Sequence, residues 1–184
     1  LPQALEKKGG WQNCETAEAF ARFAGMMAAH FSGRVSHFIT LNEPQIVLKL
    51  GYADGIHAPG KRLSLPGLVS CWKNLMLAHG LSFRVIRNAA PEAEIGIAST
   101  GKLCYPHSPA DEDTARQETF RLTDADWMFT HPIVLDAVCL GRVEPEEGRL
   151  RELLSTVTPE EWDTMHAVPD FIGINSYNGS EIAS

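Results

Sequence analysis

The sequence has few basic residues and no long apolar run. Its 184 residues include 16 Lys and Arg against 23 Asp and Glu, which gives a formal net charge of −7. Because no Lys- or Arg-rich run is available to neutralise a phosphate backbone, the composition argues against nucleic-acid binding as a main role. An anionic membrane surface is disfavoured for the same reason. The apolar stretches end within about ten residues, well short of the roughly 20 that a membrane-spanning helix needs.

Cysteine is sparse as well, and it is dispersed. The four cysteines are Cys14, Cys71, Cys104 and Cys139. They form no Cys-x-x-Cys pair and no histidine lies at zinc-finger spacing, so the pattern indicates neither a metal site nor a dense disulfide framework. No cofactor is predicted. The first residues, LPQALEKKGGW, lack the basic and apolar regions of a signal peptide, and we therefore expect a cytoplasmic location.

The apolar pattern begins with an amphipathic helix and a strand. The helix is predicted from Glu15 to a stop at Ser32-Gly33. Its apolar face comprises Phe20, Phe23, Met27 and Phe31. The run 35–42 is nearly continuous in apolar and β-branched residues, as expected of a parallel strand that is buried on both faces. Pro44 ends this strand.

A long loop and a second helix follow. The segment GYADGIHAPGKRLSLPG, residues 51–67, is rich in Gly and Pro and predicts a loop of the kind that often carries function. Pro66 falls in the first turn of the predicted second helix. The buried stripe of that helix comprises Leu68, Trp72, Leu75, His79, Phe83 and Ile86.

Two further strands and two helical regions complete the pattern. EIGIAST at 94–100 predicts a short strand, and a helical region is predicted through residues 120–129 with Pro132 as its interruption. The run Thr158-Pro159-Glu160-Glu161 is a capping box that begins a short helix. The apolar run 170–175 predicts a third strand.

Strands that alternate with helices predict a parallel α/β fold, here in a single domain over residues 1–184. The first predicted strand ends in Asn42-Glu43 and the third in Asn175-Ser176-Tyr177. The carboxyl ends of parallel strands are where sites are built. Glu43 is therefore well placed to act as a general acid/base. The pattern is equally consistent with a solvent-exposed glutamate in a loop. Asn42 either holds a substrate hydroxyl or caps a turn.

Five segments resemble glycoside hydrolase family 1, the β-glucosidase family. TLNEP resembles the motif on barrel strand four, although related barrel families also end that strand in Asn-Glu. Four further matches, in the family's order and spacing, narrow the resemblance to family 1. The matching segments are LPQALEKKGGWQN (1–13), TLNEP (40–44), GYADGIHAPG (51–60), NLMLAHG (74–80) and DFIGINSYNG (170–179).

The resemblance implies a partial (β/α)8 TIM barrel, about strands four to six, that acts on β-glycosides with retention. It implies that Glu43 is the acid/base and that Asn42 bonds the sugar 2-hydroxyl. Asn175 would lie near the leaving group, and Tyr177 would donate its hydroxyl to the catalytic nucleophile. Gln45 stands on the leaving-group side, where the family often has Trp, and is predicted to contact substrate there.

The family's nucleophile is a Glu in a Thr-Glu-Asn-Gly motif, which the 184 residues do not contain. A retaining glycosidase requires two carboxylates, the acid/base and the nucleophile, and only the first is present. We therefore expect this chain to be the middle of a barrel and to be inactive alone. The alternative is a module that binds sugar weakly or mediates association. Three strands would leave two unpaired sheet edges, which favours self-association.

Overall fold

A computed structural model describes residues 1–183 of the chain. Within them, eight α-helices are α1 (Gln3–Glu6), α2 (Glu15–Phe31), α3 (Pro44–Ile46), α4 (Leu65–Ala89), α5 (Glu112–Phe120), α6 (Pro132–Leu140), α7 (Arg149–Leu154) and α8 (Pro159–Met165). The five strands of the same region are β1 (His37–Asn42), β2 (Glu94–Thr100), β3 (Cys104–Pro106), β4 (Phe171–Asn175) and β5 (Ser180–Ile182).

Strands β1, β2 and β4 form a parallel sheet in that order. Asn42 pairs with Ala98, and Thr100 pairs with Asn175, so the polar carboxyl ends of all three strands lie together at the same end of the sheet. The register of β1 on β2 is irregular between Ile39 and Asn42. Such bulges are frequent next to active sites, because they re-aim the side chains that follow. The parallel α/β prediction is confirmed.

A second, unpredicted sheet joins two three-residue strands. β3 pairs with β5 in parallel, and Tyr105 lies opposite Glu181. Strands this short leave almost no alternation in the sequence, so the apolar pattern gives no warning of them.

The prediction that the first strand is buried on both faces is wrong, and the third strand is exposed as well. β2 is buried from Ile95 to Thr100, because it lies between two neighbours. Ile39 of β1 is 50% exposed, and Ile172 and Ile174 of β4 are 44% and 56% exposed. These strands are the outer members of the sheet, and no element among residues 1–183 covers one of their faces.

Helix α4 is the centre of the hydrophobic core. Trp72, Leu75 and Met76 are almost completely buried, and α4 packs against α2, α8 and the sheet. Its predicted stripe is confirmed, with Phe83 only half-buried. Pro66 lies in the first turn, as predicted, where its missing N–H has no helical partner to lose.

His79 ties this helix to β1 and to the segment between α8 and β4. Its Nδ1 lies 2.7 Å from Thr40 Oγ1 on β1, and its Nε2 lies 2.9 Å from the carbonyl oxygen of Ala167. Burial lowers the pKa of His79 to about 4. The neutral ring therefore donates to Ala167 through Nε2 and accepts from the Thr40 hydroxyl through Nδ1.

The fully buried residues of helix α2 are its small ones, whereas its aromatic residues are at most partly buried. Phe23 is 52% exposed, and the other predicted apolar residues are only partly buried. The buried residues of α2 are Thr16, Ala17, Ala21 and Ala28. Small side chains let α2 approach α4 closely, and a helical repeat of aromatic residues does not reveal which face does so.

Three local predictions also need correction. The region 120–129 is not a helix, because α5 already ends at Phe120. Pro132 begins α6 and does not interrupt a helix, since proline is accommodated in a first turn. The segment predicted as a loop from Gly51 starts inside a π-helical stretch, Val47–Ala53, which continues from α3. In contrast, the capping box of α8 is confirmed, because Thr158 and Glu161 exchange two hydrogen bonds.

None of the helices between residues 1 and 183 combines the length and apolar character needed to cross a membrane.

Candidate active site

The candidate site lies at the carboxyl end of the parallel sheet, around Glu43. This residue has φ 49° and ψ 57° and is the one non-glycine residue with positive φ in the part of the chain that the structure describes. The following Pro44 disfavours right-handed helical backbone at Glu43. A left-handed residue with a side chain costs about 1 to 3 kcal/mol, and such strain clusters at functional sites.

Two donors from the end of β4 reach the Glu43 carboxylate. Asn175 Nδ2 lies 2.6 Å and the Tyr177 hydroxyl 2.8 Å from Glu43 Oε1. Hydrogen bonds to an ionised acceptor are roughly twice as strong as those between neutral groups. The carboxyl group is therefore held in one orientation by residues at the end of a different strand.

Asn42 and Thr100 extend this arrangement across the sheet. Asn175 Nδ2 also lies 3.2 Å from Asn42 Oδ1, so one amide contacts both residues at the end of β1. The Thr100 hydroxyl donates to the carbonyl oxygen of Asn175 over 3.1 Å. All three parallel strands thus contribute to one cluster of carboxylate, amide and hydroxyl groups.

Tyr177 makes a contact other than the expected one, whose partner, the nucleophile, is not among these residues. Its hydroxyl donates to Glu43, whereas the family resemblance implied a bond to the nucleophile. The hydrogen bond to Glu43 and the nearby negative charge raise the pKa of Tyr177, because the phenolate would face a carboxylate. The ring itself is 79% exposed.

Gln45 does not lie at the surface where a leaving group would contact it. It is 1% exposed, and its Nε2 donates to Ser99 Oγ over 2.7 Å and to the Thr130 carbonyl oxygen over 3.2 Å. Its Oε1 accepts the Thr100 N–H over 3.5 Å. The side-chain amide that was expected to face the leaving group is thus buried and bonded to Ser99, Thr100 and Thr130.

Thr100 is the member of the site that the sequence did not lead us to assign. The usable signal was its place at the carboxyl end of β2, the same rule that identified Glu43 and Asn175. No group of three His, Cys, Asp or Glu side chains capable of holding a metal ion occurs within residues 1–183. An apolar groove of about 920 Å³ runs beside β1 and reaches Asn42 and Pro44.

The carboxylate, amide and hydroxyl groups thus lie at the carboxyl end of a parallel sheet, where parallel α/β barrels carry their active sites. The chain belongs to glycosyl hydrolase family 1, whose sequence profile matches residues 1–184. This confirms the resemblance that the five sequence segments indicated.

Relatives that are named β-glucosidases agree with this assignment. Beta-glucosidase A of Thermotoga maritima is 32% identical over 183 residues, which cover 97% of this chain and 39% of that protein. Beta-glucosidase 25 of Oryza sativa is 34% identical over 197 residues, with 96% and 37% covered. The chain therefore spans about two fifths of the length of these relatives.

Solved structures show the same fold. The family 1 β-glucosidase of Thermotoga maritima superposes with a TM-score of 0.79 at 31% identity, covering 97% of this chain and 39% of that one. The virulence factor SghA of Agrobacterium tumefaciens gives 0.81 at 28% identity, with 98% and 39% covered. The chain is a partial (β/α)8 barrel, as predicted.

Proposed function

We propose that this chain carries the acid/base side of a retaining β-glycosidase site and that its substrate class is the β-glucosides. The observation that carries the proposal is the Glu43 carboxylate at the end of β1, held by Asn175 and Tyr177 from the end of β4. The names of the relatives, which are β-glucosidases, support the substrate class.

The geometry suits a residue that exchanges a proton in both steps of the reaction. Both donors end on Glu43 Oε1, so we assign Oε2 to proton exchange. In the first step the protonated carboxyl transfers its proton to the glycosidic oxygen while a second carboxylate attacks the anomeric carbon. In the second step the Glu43 carboxylate removes a proton from water, which releases the sugar.

We propose further that the 184 residues alone do not complete this reaction. The sequence contains no Thr-Glu-Asn-Gly segment, which in the family carries the nucleophile. The exposed Asn42 and the neighbouring Asn175 present amide groups suited to sugar hydroxyls. The chain by itself therefore binds a β-glucoside weakly at most.

The outer strands of the sheet support a proposal about association. Ile39, Ile172 and Ile174 expose about half of their surface on β1 and β4. Each of these strands has one neighbour in the sheet formed by the described residues. Unpaired parallel edges have complementary N–H and C=O groups, so we propose that a second copy of the chain pairs with them.

The catalytic proposal is tested by hydrolysis of aryl β-D-glucosides with the purified 184-residue chain and its Glu43→Gln variant. Glu181→Gln is the control, since it makes the same change at an exposed glutamate of β5, which pairs with His107 and not with the residues around Glu43. We expect a folded chain without turnover. Turnover that Glu43→Gln abolishes would support the acid/base role and contradict the proposal that the chain lacks a nucleophile. Turnover that survives Glu43→Gln would overturn the acid/base role.

A binding experiment tests whether the isolated chain recognises sugar without hydrolysing it. We expect methyl β-D-glucoside at millimolar concentration to shift the side-chain amide NMR signals of Asn42 and Asn175. The shifts should weaken in Glu43→Gln and persist in Glu181→Gln. If no signal near the carboxyl end of the sheet responds, the proposal that the isolated chain binds sugar is wrong.

A further inference from the structure

The left-handed backbone of Glu43 is sustained by its surroundings and not by its own sequence. Pro44 restrains its own φ and pushes the preceding residue toward extended backbone. A side chain on a left-handed residue is unfavourable as well. Contacts from elsewhere in the fold must therefore hold the turn 43–45.

The end of β2 supplies these contacts through three consecutive residues. The carbonyl oxygen of Ala98 accepts the Glu43 N–H over 2.9 Å. Ser99 Oγ accepts from Gln45 Nε2 over 2.7 Å, and the Thr100 N–H points to Gln45 Oε1 over 3.5 Å. The first and third residues of the turn are thus bound to one strand end.

The orientation of the Gln45 amide is determined by its partners. The Thr130 carbonyl can only accept, and it lies 3.2 Å from Nε2. The Thr100 N–H can only donate, and it faces Oε1. With 1% of its surface exposed, the Gln45 side chain has no access to water that could replace these bonds.

The same bonds determine which atoms donate and which accept in a series of hydrogen bonds that continues to His131. Gln45 Nε2 can only donate, so Ser99 Oγ accepts there and its own proton is available to His131 Nδ1, 2.9 Å away. Burial lowers the pKa of His131, in keeping with a neutral ring that accepts at Nδ1. Every polar atom of the Gln45 side chain thus has a partner of the matching type.

The network also returns to the carboxylate. Thr100, which faces Gln45, donates its hydroxyl to the carbonyl oxygen of Asn175, whose side chain in turn donates to Glu43. Gln45, Thr100, Asn175 and Glu43 therefore form a closed circuit of contacts around the strand ends.

We propose that Gln45 is a positioning residue, which holds the Glu43 carboxylate in place by binding the turn 43–45 to the end of β2 and to Thr130. The inference rests on the proposed acid/base role of Glu43 for its functional meaning. It replaces the substrate contact that the sequence suggested for Gln45. The side chain acts through Glu43 and does not touch substrate.

The test uses NMR on the isotopically labelled 184-residue chain and its Gln45→Met variant, which keeps the side-chain length and removes the amide. Three-bond couplings report φ at Glu43, and the side-chain amide signals of Asn175 report its bond to the carboxylate. We expect Glu43 to lose its positive φ and the Asn175 amide signals to shift. Unchanged couplings and signals in a folded variant would overturn the proposal.

Asn74→Leu is the matched control, because Asn74 is also a buried amide and donates to the Trp11 carbonyl oxygen over 2.8 Å, within the α4 core. Comparable changes at Glu43 in both variants would show general destabilisation and overturn the positioning role. Ser99→Ala, which removes only one acceptor of Gln45, decides the matter if Gln45→Met does not fold. We expect a smaller change in the same direction, and no change would count against the proposal.

The two proposals fail separately. If the wild-type chain hydrolyses the glucoside, turnover that survives in Glu43→Gln would overturn the acid/base role and leave the NMR result standing. Unchanged NMR signals in Gln45→Met would overturn the positioning role, whatever the activity of Glu43.

Discussion

The side-chain amide of Asn175 donates to the carboxylate of Glu43 over 2.6 Å, although 132 positions of the sequence separate the two residues. The bond joins the outer strands β1 and β4, which are not neighbours in the sheet. The orientation of the candidate acid/base therefore depends on strand β2, which sets the separation of the two residues that make this bond.

Tyr177 should report the charge on Glu43. Its hydroxyl bond to the carboxylate raises the pKa of Tyr177 above the ordinary value of about 10, because loss of the phenolic proton would place two negative groups together. We expect Glu43→Gln to lower the pKa of Tyr177. The measurement is a pH titration of the Tyr177 ring carbons by NMR. Glu181→Gln should leave the midpoint unchanged, and an unchanged midpoint in Glu43→Gln would contradict the observed bond.

Glycine at position 43 should give a more stable chain than alanine. Both Glu43→Gly and Glu43→Ala remove the carboxylate, but only alanine retains a Cβ at φ 49°. We expect the glycine variant to be more stable by about 1 kcal/mol in urea unfolding.

The same pair of substitutions at Glu18 provides the control. Glu18 is an exposed residue inside helix α2, where glycine is less favourable than alanine by about 1 kcal/mol. The order of stability should therefore invert between the two positions. If alanine is the more stable residue at both, the left-handed backbone of Glu43 is not strained.

The parts of the fold that we could predict from the sequence are those determined by residues close together in the chain. The capping box of Thr158 and Glu161 lies within one helical turn, and the apolar runs that became β1, β2 and β4 are contiguous. The closely packed face of α2 was missed because small alanines leave a weaker pattern than the aromatic residues beside them.

The site was predictable up to the strand ends and no further. Glu43 and Asn175 follow from the rule that parallel strands carry function at their carboxyl ends. The burial of Gln45 could not be foreseen, because its partners Ser99 and Thr130 lie 54 and 85 positions away. Pairing over such distances depends on the strand register and on the path of the chain from β2 to α6, neither of which leaves a local signal.

Removal of the cap at Thr158 should destabilise α8. Thr158 Oγ1 accepts the Glu161 N–H over 3.2 Å, and the Glu161 carboxylate accepts the Thr158 N–H over 3.0 Å. We expect Thr158→Ala to lower the free energy of unfolding by about 1 kcal/mol. Thr156→Ala is the comparison, since the exposed Thr156 donates to the Leu153 carbonyl oxygen and caps no helix start. Equal losses in the two variants would argue against a specific capping effect.

A charge on the outer face of β4 should weaken self-association. Ile174 is 56% exposed, and a lysine there would have to be desolvated when a second copy packs against the sheet. We expect sedimentation of the wild-type chain to show oligomers and Ile174→Lys to show mostly monomer. Leu140→Lys, at a residue of α6 that is 58% exposed, should not change the distribution. A monodisperse wild-type monomer would contradict the association proposal.

Acid should destabilise the fold through His79. Burial lowers its pKa to about 4, whereas the unfolded chain binds the proton near the ordinary value of 6.5. The unfolded state therefore holds more protons between these values, and stability falls as pH decreases from 6.5 toward 4. The contribution is complete above pH 6.5 and amounts to roughly 3 kcal/mol over this interval. Urea unfolding at pH 7 and pH 4.5 measures it.

The His79→Gln variant isolates this contribution. It should be less stable than the wild-type chain at pH 7, because the buried bonds to Thr40 and Ala167 are disturbed, and its stability should depend less on pH. His131, whose pKa burial also lowers, acts in the same direction in both chains and so cancels in the comparison. Asp170, with a lowered pKa, contributes below its ordinary value of 3.8 and not in this interval. The same pH dependence in wild type and variant would mean that His79 is not the group that titrates.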